Sequence, residues 1–347
     1  MKVLVTGGSG FIGSHVAEFL ARKECEVVAY DNLSRARLLG SGDKHALHNW
    51  RYLAGVDRVA LVKGDIRDYA QLKEACRDVE VIVHTAAQTA VTASLADPRT
   101  DFEVNALGTI NVLEAARNSN TQPAVVFCST NKVYGSNVNK MPIVEKEKRY
   151  QLCGDFSDGI PETLSVDMCD HTPYGCSKLS ADLYVQDYAR TYGLPTVVFR
   201  MSCIYGDRQF GVEDQGWVAW FTIAAVTERP ITIYGNGKQV RDLLYIDDLV
   251  KAFYAFLLKP SQFRGEVFNI GGGPEHTVSL LELLEILEQH LGKRIRANFE
   301  DWRPSDQRIY VSNIHKAKEK LSWKPVIDPN DGVRRLAEWA WSCREIL

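Results

Sequence analysis

Along the first 200 positions, short and almost continuous apolar runs alternate with stretches that carry apolar residues at helical spacing. The continuous runs are typical of parallel strands covered on both faces, and the helical spacing is typical of helices that bury one side. This alternation predicts an α/β fold with a Rossmann-like, doubly wound parallel sheet. The predicted strands begin at Val3 and continue at 26–30, 59–63, 79–84, 124–128 and 195–200, and the predicted helices cover 12–22, 98–118 and 174–192.

The chain beyond position 135 departs from this alternation. Residues 136–172 are polar and show no clear period, which predicts a loop over the mouth of the active site. Beyond Met201, aromatic helices and short strands predict a smaller C-terminal α/β lobe, in which Ser279 and Glu282 have the spacing of a capping box. The predicted elements of this lobe are helices 217–226, 247–258, 280–291 and 331–344 and strands 231–234, 239–245 and 266–270.

The composition and the net charge of the chain argue against some classes of function. The 347 residues carry a formal net charge of −3 with a pI near 6.3, which argues against a global basic field for nucleic acid. The sequence has no run of about 18 apolar residues, so we expect no transmembrane span. It begins directly with a strand pattern rather than a signal peptide, and we therefore expect a cytoplasmic protein.

The eight cysteines are scattered and form no Cys-x-x-Cys pair. Cys169, His171 and Cys176 lie close together in sequence, but their spacing matches no common zinc pattern. We expect reduced, mostly buried thiols and no metal site.

A glycine loop connects the first strand to the first helix. Gly7 allows a sharp turn, Gly10 lets a pyrophosphate approach the backbone, and Gly13 lets the helix lie close to the sheet. The helix N-terminus then directs bare N–H groups and a positive dipole end at the phosphates. The spacing differs by one residue from the dinucleotide fingerprint, and a plain tight turn is the alternative. We interpret the loop as a nucleotide cofactor site.

The second strand ends at Asp31, about twenty residues beyond the loop, where a dinucleotide's adenosine ribose is bound. Its carboxylate can accept both ribose hydroxyls and repels a 2′-phosphate, which favours NAD over NADP; a solvated turn residue is the alternative. Arg35 and Arg37 weaken this preference, because arginines can accommodate the 2′-phosphate. Asp65 is placed to reach the adenine amino group, and the small residues at 85–87 let a cofactor lie flat.

Tyr174 and Lys178 are four residues apart and lie on one face of a predicted helix. An ammonium beside a phenol favours the phenolate, and a positively charged nicotinamide nearby acts in the same direction. Together they predict a tyrosine whose pKa falls toward the working pH and which can take a proton from a sugar hydroxyl. Thr130, at the end of the fifth strand, can share the hydrogen bond of the reacting oxygen. A lone Tyr-x-x-x-Lys usually means nothing, and Ser129 and Thr130 could merely cap the strand. The glycine loop and Asp31 favour the catalytic interpretation.

The motifs and their order along the chain resemble those of the extended short-chain dehydrogenase/reductases that act on nucleotide-linked sugars. The resemblance covers nearly the whole chain. The resemblance implies a tightly bound NAD⁺, a nucleotide-diphosphate sugar substrate and a homodimer built through helices 98–118 and 174–192; a homotetramer stays open. It is carried by 6–13, Asp31-Asn32, 105–109, 129–135, Tyr174 with Lys178, Gly206, 235–237, Arg241-Asp242, Asp247-Asp248, 269–271 and Arg303-Pro304.

The resemblance also implies a division of the chain and a set of site residues. An NAD-binding Rossmann domain covers 1–200 with a return segment at about 240–270, and a nucleotide-sugar lobe covers 201–239 and 271–347. The implied catalytic residues are Thr130, Tyr174 and Lys178. The implied cofactor residues are Gly7, Gly10, Phe11, Ile12, Gly13, Asp31, Asn32, Arg35, Asp65, Ile66, Ala86, Ala87, Gln88, Asn105, Ser129, Tyr174 and Lys178. The implied substrate residues are Thr130, Asn131, Lys132, Gln209, Gln215, Trp217, Arg241 and Arg303.

Two of the substrate residues narrow the reaction within this family. The 4,6-dehydratases carry an acidic pair where this chain has Asn131 and Lys132, and Lys132 cannot serve as the acid that removes water. UDP-glucose 4-epimerases usually have small residues there. The run 129–135 is most similar to that of the subgroup that inverts C2 of CDP-paratose or CDP-tyvelose, which implies oxidation to a 2-keto sugar, rotation and re-reduction.

For the remaining implied residues and for the function, alternatives stay open. Arg241 and Arg303 are expected to bind the diphosphate, although Arg241 could instead pair with Asp242 or Asp306, and Trp217 could belong to the core. A second function hypothesis is an epimerase acting at C4 of a UDP- or dTDP-sugar, and a third is an NAD-sensing protein without catalysis.

Overall fold

The computed structural model describes residues 1–35, 47–303 and 306–347. The strands are β1 (Lys2–Thr6), β2 (Glu26–Asp31), β3 (Val59–Lys63), β4 (Val81–His84), β5 (Ala124–Thr130), β6 (Ile143–Glu145), β7 (Tyr150–Leu152), β8 (Thr196–Met201), β9 (Cys203–Tyr205), β10 (Ile231–Tyr234), β11 (Val240–Tyr245), β12 (Glu266–Ile270), β13 (Thr277–Ser279), β14 (Ala297–Glu300) and β15 (Ile309–Tyr310). The helices are α1 (Phe11–Arg22), α2 (His48–Ala54), α3 (Tyr69–Ala75), α4 (Val91–Ala96), α5 (Pro98–Phe102), α6 (Gly108–Arg117), α7 (Pro173–Tyr192), α8 (Trp217–Val226), α9 (Ile246–Leu257), α10 (Leu280–Leu291), α11 (His315–Leu321) and α12 (Pro329–Ser342).

The centre of the fold is a seven-stranded sheet with the order β12-β8-β5-β4-β1-β2-β3. The ladders that join β3, β2, β1, β4 and β5 are parallel. Every residue of β4 and all but the last residue of β5 are buried, because aliphatic side chains point to both faces. The doubly wound α/β fold predicted from the alternating pattern is confirmed.

The order of the strands reverses between β1 and β4. From β1 the chain adds β2 and β3 on one side, then returns to add β4, β5, β8 and β12 on the other. Thr6 and His84 are register partners at the carboxyl ends of β1 and β4, and the Thr6 Oγ1 and His84 Nδ1 atoms are 2.6 Å apart. Open α/β sheets bind ligands at such a switch point, so these strand ends are where a site is expected.

The helix predicted over 98–118 is interrupted by one π-helical turn. The turn covers Glu103–Leu107 and lies between α5 and α6. It carries Asn105, which is buried. The spacing of apolar residues does not reveal the extra residue of a π turn. Such turns are frequent at functional sites.

Residues 136–172 contain more regular structure than the predicted loop, which is therefore partly wrong. Two 3₁₀ pieces cover Asn131–Lys140 and are separated by a kink at Gly135, whose φ of 54° and ψ of −144° are not helical. β6 and β7 form a short antiparallel hairpin in which Ile143 pairs with Leu152. Strands of three residues are too short for an alternating pattern to be recognised in the sequence.

The chain divides into two compact units. The first comprises residues 1–133, 172–200 and 250–268, and the second comprises 134–171, 201–249 and 269–347. The predicted boundaries assign 134–171 and 240–249 to the first domain, whereas the structure groups both with the second. β11 explains the second difference, because it pairs with β9, β13 and β15, all of which belong to the second unit. The functional labels of the two domains stay predictions.

Two other expectations are tested by the described residues. No helix among them is long and apolar enough to cross a membrane. All eight cysteines are free, but only Cys25, Cys76 and Cys128 are buried, and Cys176 is exposed. The prediction of mostly buried thiols is wrong, because packing rather than residue type decides which way a small side chain points.

Candidate active site

The glycine loop has the geometry that its sequence predicts. Gly7 has φ +70°, and a Cβ there would overlap the backbone of Ala86. A Cβ on Gly13 would overlap the carbonyl of Gly7, so α1 can start only because this position is glycine. A Cβ on Gly10 would meet one atom within 4 Å, the carbonyl oxygen of Gly7. The loop is therefore tightly packed at its ends and sparsely packed at its middle glycine, as a phosphate cradle requires.

The first turn of α1 is suited to binding an anion. The helix starts at Gly10 without a side-chain cap and without an acidic residue in its first turn. The N–H groups of Phe11, Ile12 and Gly13 therefore point out of the helix without an intrahelical acceptor. Phosphates are the groups that such a terminus binds most readily.

Asp31 lies at the carboxyl end of β2, directly beside this loop. Its Oδ2 accepts a hydrogen bond from the Ser9 amide (3.0 Å), and its Oδ1 accepts one from the Leu33 amide (2.7 Å). These two amides fix the carboxylate, and each oxygen keeps a lone pair for a ribose hydroxyl. The loop, the bare helix end and the fixed carboxylate together fit a dinucleotide whose ribose has no 2′-phosphate.

The polar residues near Asp31 already interact with other groups of the protein, which the sequence does not show. Asp65 accepts hydrogen bonds from the Arg67 side chain and from Asn32 Nδ2 (2.9 Å), and Arg67 chiefly lowers its pKa to about 2. Asp65 is thus a fixed carboxylate in an ion pair, and a contact with adenine stays a prediction. Arg35 follows β2 and has a pKa that burial lowers. Arg37 lies outside the described residues.

The end of β4 passes beneath the glycine loop. Thr85 Oγ1 donates to the Thr6 carbonyl (2.7 Å), and the backbone of Ala86 lies against Gly7. Beyond Ala87, the backbone of Gln88 exchanges hydrogen bonds with the side chain of Asn105 in the π turn: the Gln88 amide donates to Asn105 Oδ1 (2.9 Å), and Asn105 Nδ2 donates to the Gln88 carbonyl (3.0 Å). The small residues and the fixed Asn105 leave this strand end flat and rigid. On the other side of the π turn, Ile66 packs against Gly108.

Tyr174 and Thr130 meet at the end of β5. Their side chains are hydrogen bonded, and the Tyr174 phenol is buried. Thr130 Oγ1 also accepts a hydrogen bond from the Lys132 amide (3.2 Å) and donates one to Asn131 Oδ1 (3.3 Å). The predicted pairing of the phenol with a β5 hydroxyl is therefore present.

The expected effect of Lys178 on the phenol is absent from the protein's own electrostatics. Burial raises the pKa of Tyr174 to about 12. The predicted lowering depends on a nicotinamide as well as on Lys178, and the protein's own residues do not produce it. The reason is geometric, because Lys178 Nζ donates to the Cys128 carbonyl at 2.6 Å and lies 4.1 Å from the centre of the Phe127 ring. The activation of Tyr174 by Lys178 together with a nicotinamide stays a prediction.

Lys178 is itself strongly perturbed. It is 3% exposed, and burial lowers its pKa to about 8, while the negative charges of Asp182 and Asp101 oppose this effect. A lysine of this kind holds its charge at neutral pH but loses it in mildly alkaline solution. It can therefore serve both as an electrostatic partner and as a hydrogen-bond donor to a ribose.

A buried ion pair behind the tyrosine was missed in the sequence. Arg200 on β8 binds both carboxylate oxygens of Asp182 (Nε–Oδ2 3.0 Å, Nη2–Oδ1 3.1 Å). Ser129 Oγ donates to Asp182 Oδ2 at 2.7 Å, so Ser129 is anchored toward α7. Asp182 lies four residues after Lys178 on the same helix, and that spacing of polar residues on an otherwise buried face was the available signal.

The predicted diphosphate arginines, both in the second unit, pair with carboxylates. Arg241 Nη2 lies 3.1 Å from Asp306 Oδ1, and Arg303 Nη2 lies 3.0 Å from Asp214 Oδ1. The Arg303 guanidinium also stacks 4.1 Å from the centre of the Tyr234 ring. The alternative in which Arg241 pairs with Asp306 is present, and it leaves the guanidinium on a partly exposed surface.

The remaining predicted substrate residues of the second unit lie around α8. Gln209 is buried, its Nε2 donates to the Ile204 carbonyl (3.3 Å), and its Oε1 has no hydrogen-bond partner among the described residues. Trp217 begins α8, is partly exposed and packs edge-on against Phe221; it is not a core residue. Gln215 is partly exposed, and its amide bonds the Val212 carbonyl at 2.9 Å.

Comparison with known proteins identifies the family. The model of the NAD dependent epimerase/dehydratase family matches residues 3–271. The chain is 41% identical over 349 residues to a CDP-paratose 2-epimerase from Salmonella typhi, covering 99% of this chain and 100% of that protein. It is 34% identical to a putative UDP-glucose 4-epimerase from Methanocaldococcus jannaschii, with 97% of each chain covered.

Solved structures agree with this assignment. UDP-glucose 4-epimerase from Thermotoga maritima, solved with UDP-glucose, matches with a TM-score of 0.79 at 30% identity over 100% of both chains. UDP-glucuronic acid 4-epimerase from Bacillus cereus, solved with UDP-glucuronic acid and NAD, matches with a TM-score of 0.80 at 27% identity over 99% of both. The resemblance drawn from the motifs is confirmed. The chain belongs to the NAD-dependent epimerase/dehydratase family, as an isomerase of the nucleotide-sugar epimerase type whose cofactor is NAD.

Proposed function

We propose that this protein inverts C2 of a CDP-linked deoxyhexose or dideoxyhexose such as CDP-paratose or CDP-tyvelose. The observation that carries the proposal is the hydrogen-bonded pair of Thr130 and Tyr174 beside Asn131 and Lys132 at the end of β5. This arrangement supplies one proton acceptor and no carboxylic acid for a leaving group. The 41% identity to a CDP-paratose 2-epimerase over the whole chain supports the choice of substrate.

In this proposal, residues of the first unit hold NAD. The first turn of α1 binds the pyrophosphate, Asp31 binds the adenosine ribose, and Lys178 binds the nicotinamide ribose. When bound, NAD accepts the hydride of C2 and returns it, and its positively charged nicotinamide favours the phenolate form of a nearby tyrosine. The proposed cofactor residues are Gly7, Gly10, Phe11, Ile12, Gly13, Asp31, Asn32, Arg35, Asp65, Ile66, Ala86, Ala87, Gln88, Asn105, Ser129, Tyr174 and Lys178.

Tyr174 is the proposed base for the C2 hydroxyl. Thr130 donates a hydrogen bond to the same reacting oxygen and holds it against the phenol. As C2 is oxidised, the proton of its hydroxyl passes to Tyr174 Oη and the C2–O bond becomes a carbonyl. After the 2-keto sugar has turned over, Tyr174 returns the proton to the carbonyl oxygen. Because burial alone raises the pKa of Tyr174 to about 12, the reaction depends on a positive charge near the phenol.

Arg241 and Arg303 are the proposed ligands of the substrate diphosphate. Each is a guanidinium that forms an ion pair with a carboxylate, and a phosphate offers the same acceptor geometry with more charge. We assign Gln209, Gln215 and Trp217 to the nucleotide-base side, where the free Oε1 of Gln209 can accept a hydrogen bond from an amino group.

We also propose a homodimer. Large apolar side chains are exposed on the π turn with its flanking helix and on α7: Phe102, Leu107, Leu183 and Tyr184. Single exposed apolar residues are ordinary, but four on two helices that pack against each other indicate a covered surface. Sedimentation equilibrium of the purified protein tests this, and a monomer at micromolar concentration would contradict it.

The substrate proposal is tested by proton NMR of sugars incubated with the purified protein and no added NAD. CDP-paratose and UDP-glucose are incubated separately, because a 4-epimerase is the second candidate and the chain also matches proteins described as such. Inversion at C2 of the CDP-sugar is expected. Inversion at C4 of UDP-glucose with an unchanged CDP-sugar would contradict the proposal and favour the second candidate. No reaction in either tube, even after NAD⁺ is added, would favour the NAD-sensing alternative.

A further inference from the structure

A buried carboxylate that the proposed chemistry does not use lies beside the catalytic helix. Asp101, at the end of α5, is 1% exposed. Its Oδ1 accepts hydrogen bonds from Gln88 Nε2 (2.8 Å) and Asn105 Nδ2 (3.1 Å), and its Oδ2 accepts one from Ser177 Oγ. Burying a carboxylate among neutral donors costs free energy that a neutral amide of the same shape would not cost. The carboxylate therefore requires an explanation.

The hydrogen bonds of Asp101 lead directly to the first turn of α7. Ser177 lies between Tyr174 and Lys178 in sequence, and its Oγ is 3.1 Å from the Tyr174 carbonyl. The Tyr174 amide in turn donates to Ser94 Oγ at 3.2 Å. The start of α7 is thus fixed from α4 and α5 by buried hydrogen bonds that leave the phenol and the ammonium free to act.

The charge of Asp101 acts on Lys178. Burial lowers the pKa of Lys178, and the carboxylates whose negative charge opposes this are Asp182 and Asp101. The Cys128 thiol is neutral in this range, because burial raises its pKa to about 12. Asp182 is already bound through both oxygens by Arg200. The other titratable groups that interact with Lys178 or share its site are His84, whose own pKa is lowered by burial to about 3, and the phenol of Tyr174. Asp101 therefore differs from Asp182, because three neutral donors hold its carboxylate in place rather than an arginine.

We infer that Asp101 is a positioning residue that fixes the first turn of α7 and supplies one of the two carboxylate charges that favour the protonated form of the buried Lys178. It touches neither sugar nor cofactor in this inference and acts through Ser177 and Lys178. The inference rests on the proposed roles of Tyr174 and Lys178 but not on which sugar is bound.

The test is an Asp101→Asn variant of the full chain, saturated with NAD. Asparagine keeps the shape and the network: its Oδ1 can accept from Gln88 and Asn105, and its Nδ2 can donate to Ser177, which then donates to the Tyr174 carbonyl. The charge of Lys178 is followed by NMR of lysine labelled with ¹³C at Cε, and the resonance is assigned by its loss in Lys178→Met. The midpoint in the unsubstituted protein is expected at about pH 8. In Asp101→Asn we expect it to fall by about one pH unit, the size of shift that a nearby buried charge produces.

Two control variants separate charge from structure. Ser177→Ala removes a hydrogen bond and keeps the carboxylate, so it should lower turnover without moving the Lys178 midpoint. Asp57→Asn removes a carboxylate from an exposed turn and should change neither. Where a substrate is turned over, the alkaline limb of kcat against pH should move with the NMR midpoint in Asp101→Asn only.

An unchanged Lys178 midpoint in folded Asp101→Asn would overturn the inference, as would an equal shift in Ser177→Ala. If Asp101→Asn does not fold, Asp101→Ser provides the same test, because a polar cavity of that size can hold a water. The titration uses no sugar, so the absence of C2 inversion would contradict the proposed substrate and leave this result standing.

Discussion

The charged groups of the proposed proton relay in the first unit and the arginines of the second unit are stabilised in opposite ways. Lys178 and Asp182 are almost fully buried: Lys178 donates to the Cys128 carbonyl, and Asp182 accepts from Ser129 and Arg200. Arg241 and Arg303 keep 15% and 30% of their side chains exposed, and each faces one carboxylate. Buried charges are costly to disturb and therefore hold a geometry, whereas partly exposed ion pairs contribute little and can be exchanged for a ligand. The buried, fixed charges suit a proton transfer, and the partly exposed ion pairs suit the binding and release of a diphosphate.

The largest effect is expected from Tyr174→Phe, which removes the proton acceptor and leaves the buried ring. We expect turnover to fall by about 10²- to 10⁴-fold, the usual contribution of a positioned acid or base. Single-turnover NMR of the sugar measures the change, and NAD content after heat extraction serves as the control, which should be unaltered. Turnover within about twofold of the unsubstituted protein would remove Tyr174 from the mechanism.

The buried ion pair is expected to dominate stability. Arg200→Met leaves Asp182 as a buried charge without its bidentate partner, which should lower the free energy of unfolding by about 3–5 kcal/mol. Arg334→Met is the matched control, since Arg334 forms exposed ion pairs with Asp331 and Glu338 on α12 and should change stability far less. Urea unfolding followed by circular dichroism measures both. Equal effects of the two substitutions would refute the contrast between buried and exposed pairs.

Removing an arginine from the proposed diphosphate site is expected to change KM rather than kcat. Arg303→Met removes a charged hydrogen-bond donor, so KM for the nucleotide sugar should rise about tenfold or more while kcat changes little. Arg241→Met should behave in the same way. A large fall in kcat with an unchanged KM would place these arginines in the chemical step instead.

The pH dependence of kcat is expected to follow the protonation of the buried Lys178. Lys178 has a pKa lowered to about 8, so its ammonium is present below that pH and is lost as the pH rises through it. We therefore expect kcat to fall on the alkaline side with a midpoint near pH 8, as measured by initial rates in overlapping buffers. A rate that stays constant to pH 10 would show that the charge of Lys178 is not required.

The smallest effect is expected from the carboxylate beside Arg241. Asp306→Asn removes a partly exposed ion-pair partner that a phosphate must displace, so the affinity for CDP should rise by up to about fivefold. Isothermal titration with CDP measures this change. A weaker affinity in the variant would mean that Asp306 orients Arg241 for the ligand rather than competing with it.

Features specified by neighbouring residues could be read from the sequence. The glycine loop, the strand ends at Asp31 and Thr130 and the capping box of Ser279 and Glu282 depend on contacts within a few positions, and the structure confirms their geometry. Glycine spacing and cap residues act through backbone conformation, so a single chain without structural information displays them.

Features that depend on distant contacts could not be predicted. The π turn, the pairing of β10 with β14 and the position of Asp101 are set by packing between segments far apart in the chain. The surroundings of Lys178 belong to the same class, because the spacing of Tyr174 and Lys178 does not reveal that Lys178 is bound to the Cys128 carbonyl. A local pattern shows which groups are present, and burial decides their pKa values.

The central claim is that C2 is oxidised and reduced again by one tightly held cofactor, with Tyr174 moving the hydroxyl proton. CDP-paratose carrying deuterium at C2 tests this most directly, with the product examined by NMR and mass spectrometry after incubation in ordinary water. The account predicts inversion at C2 with the deuterium retained on that carbon, since it leaves and returns as hydride. Inversion with loss of the deuterium to solvent would contradict the account, because the C2 hydrogen would then have left as a proton.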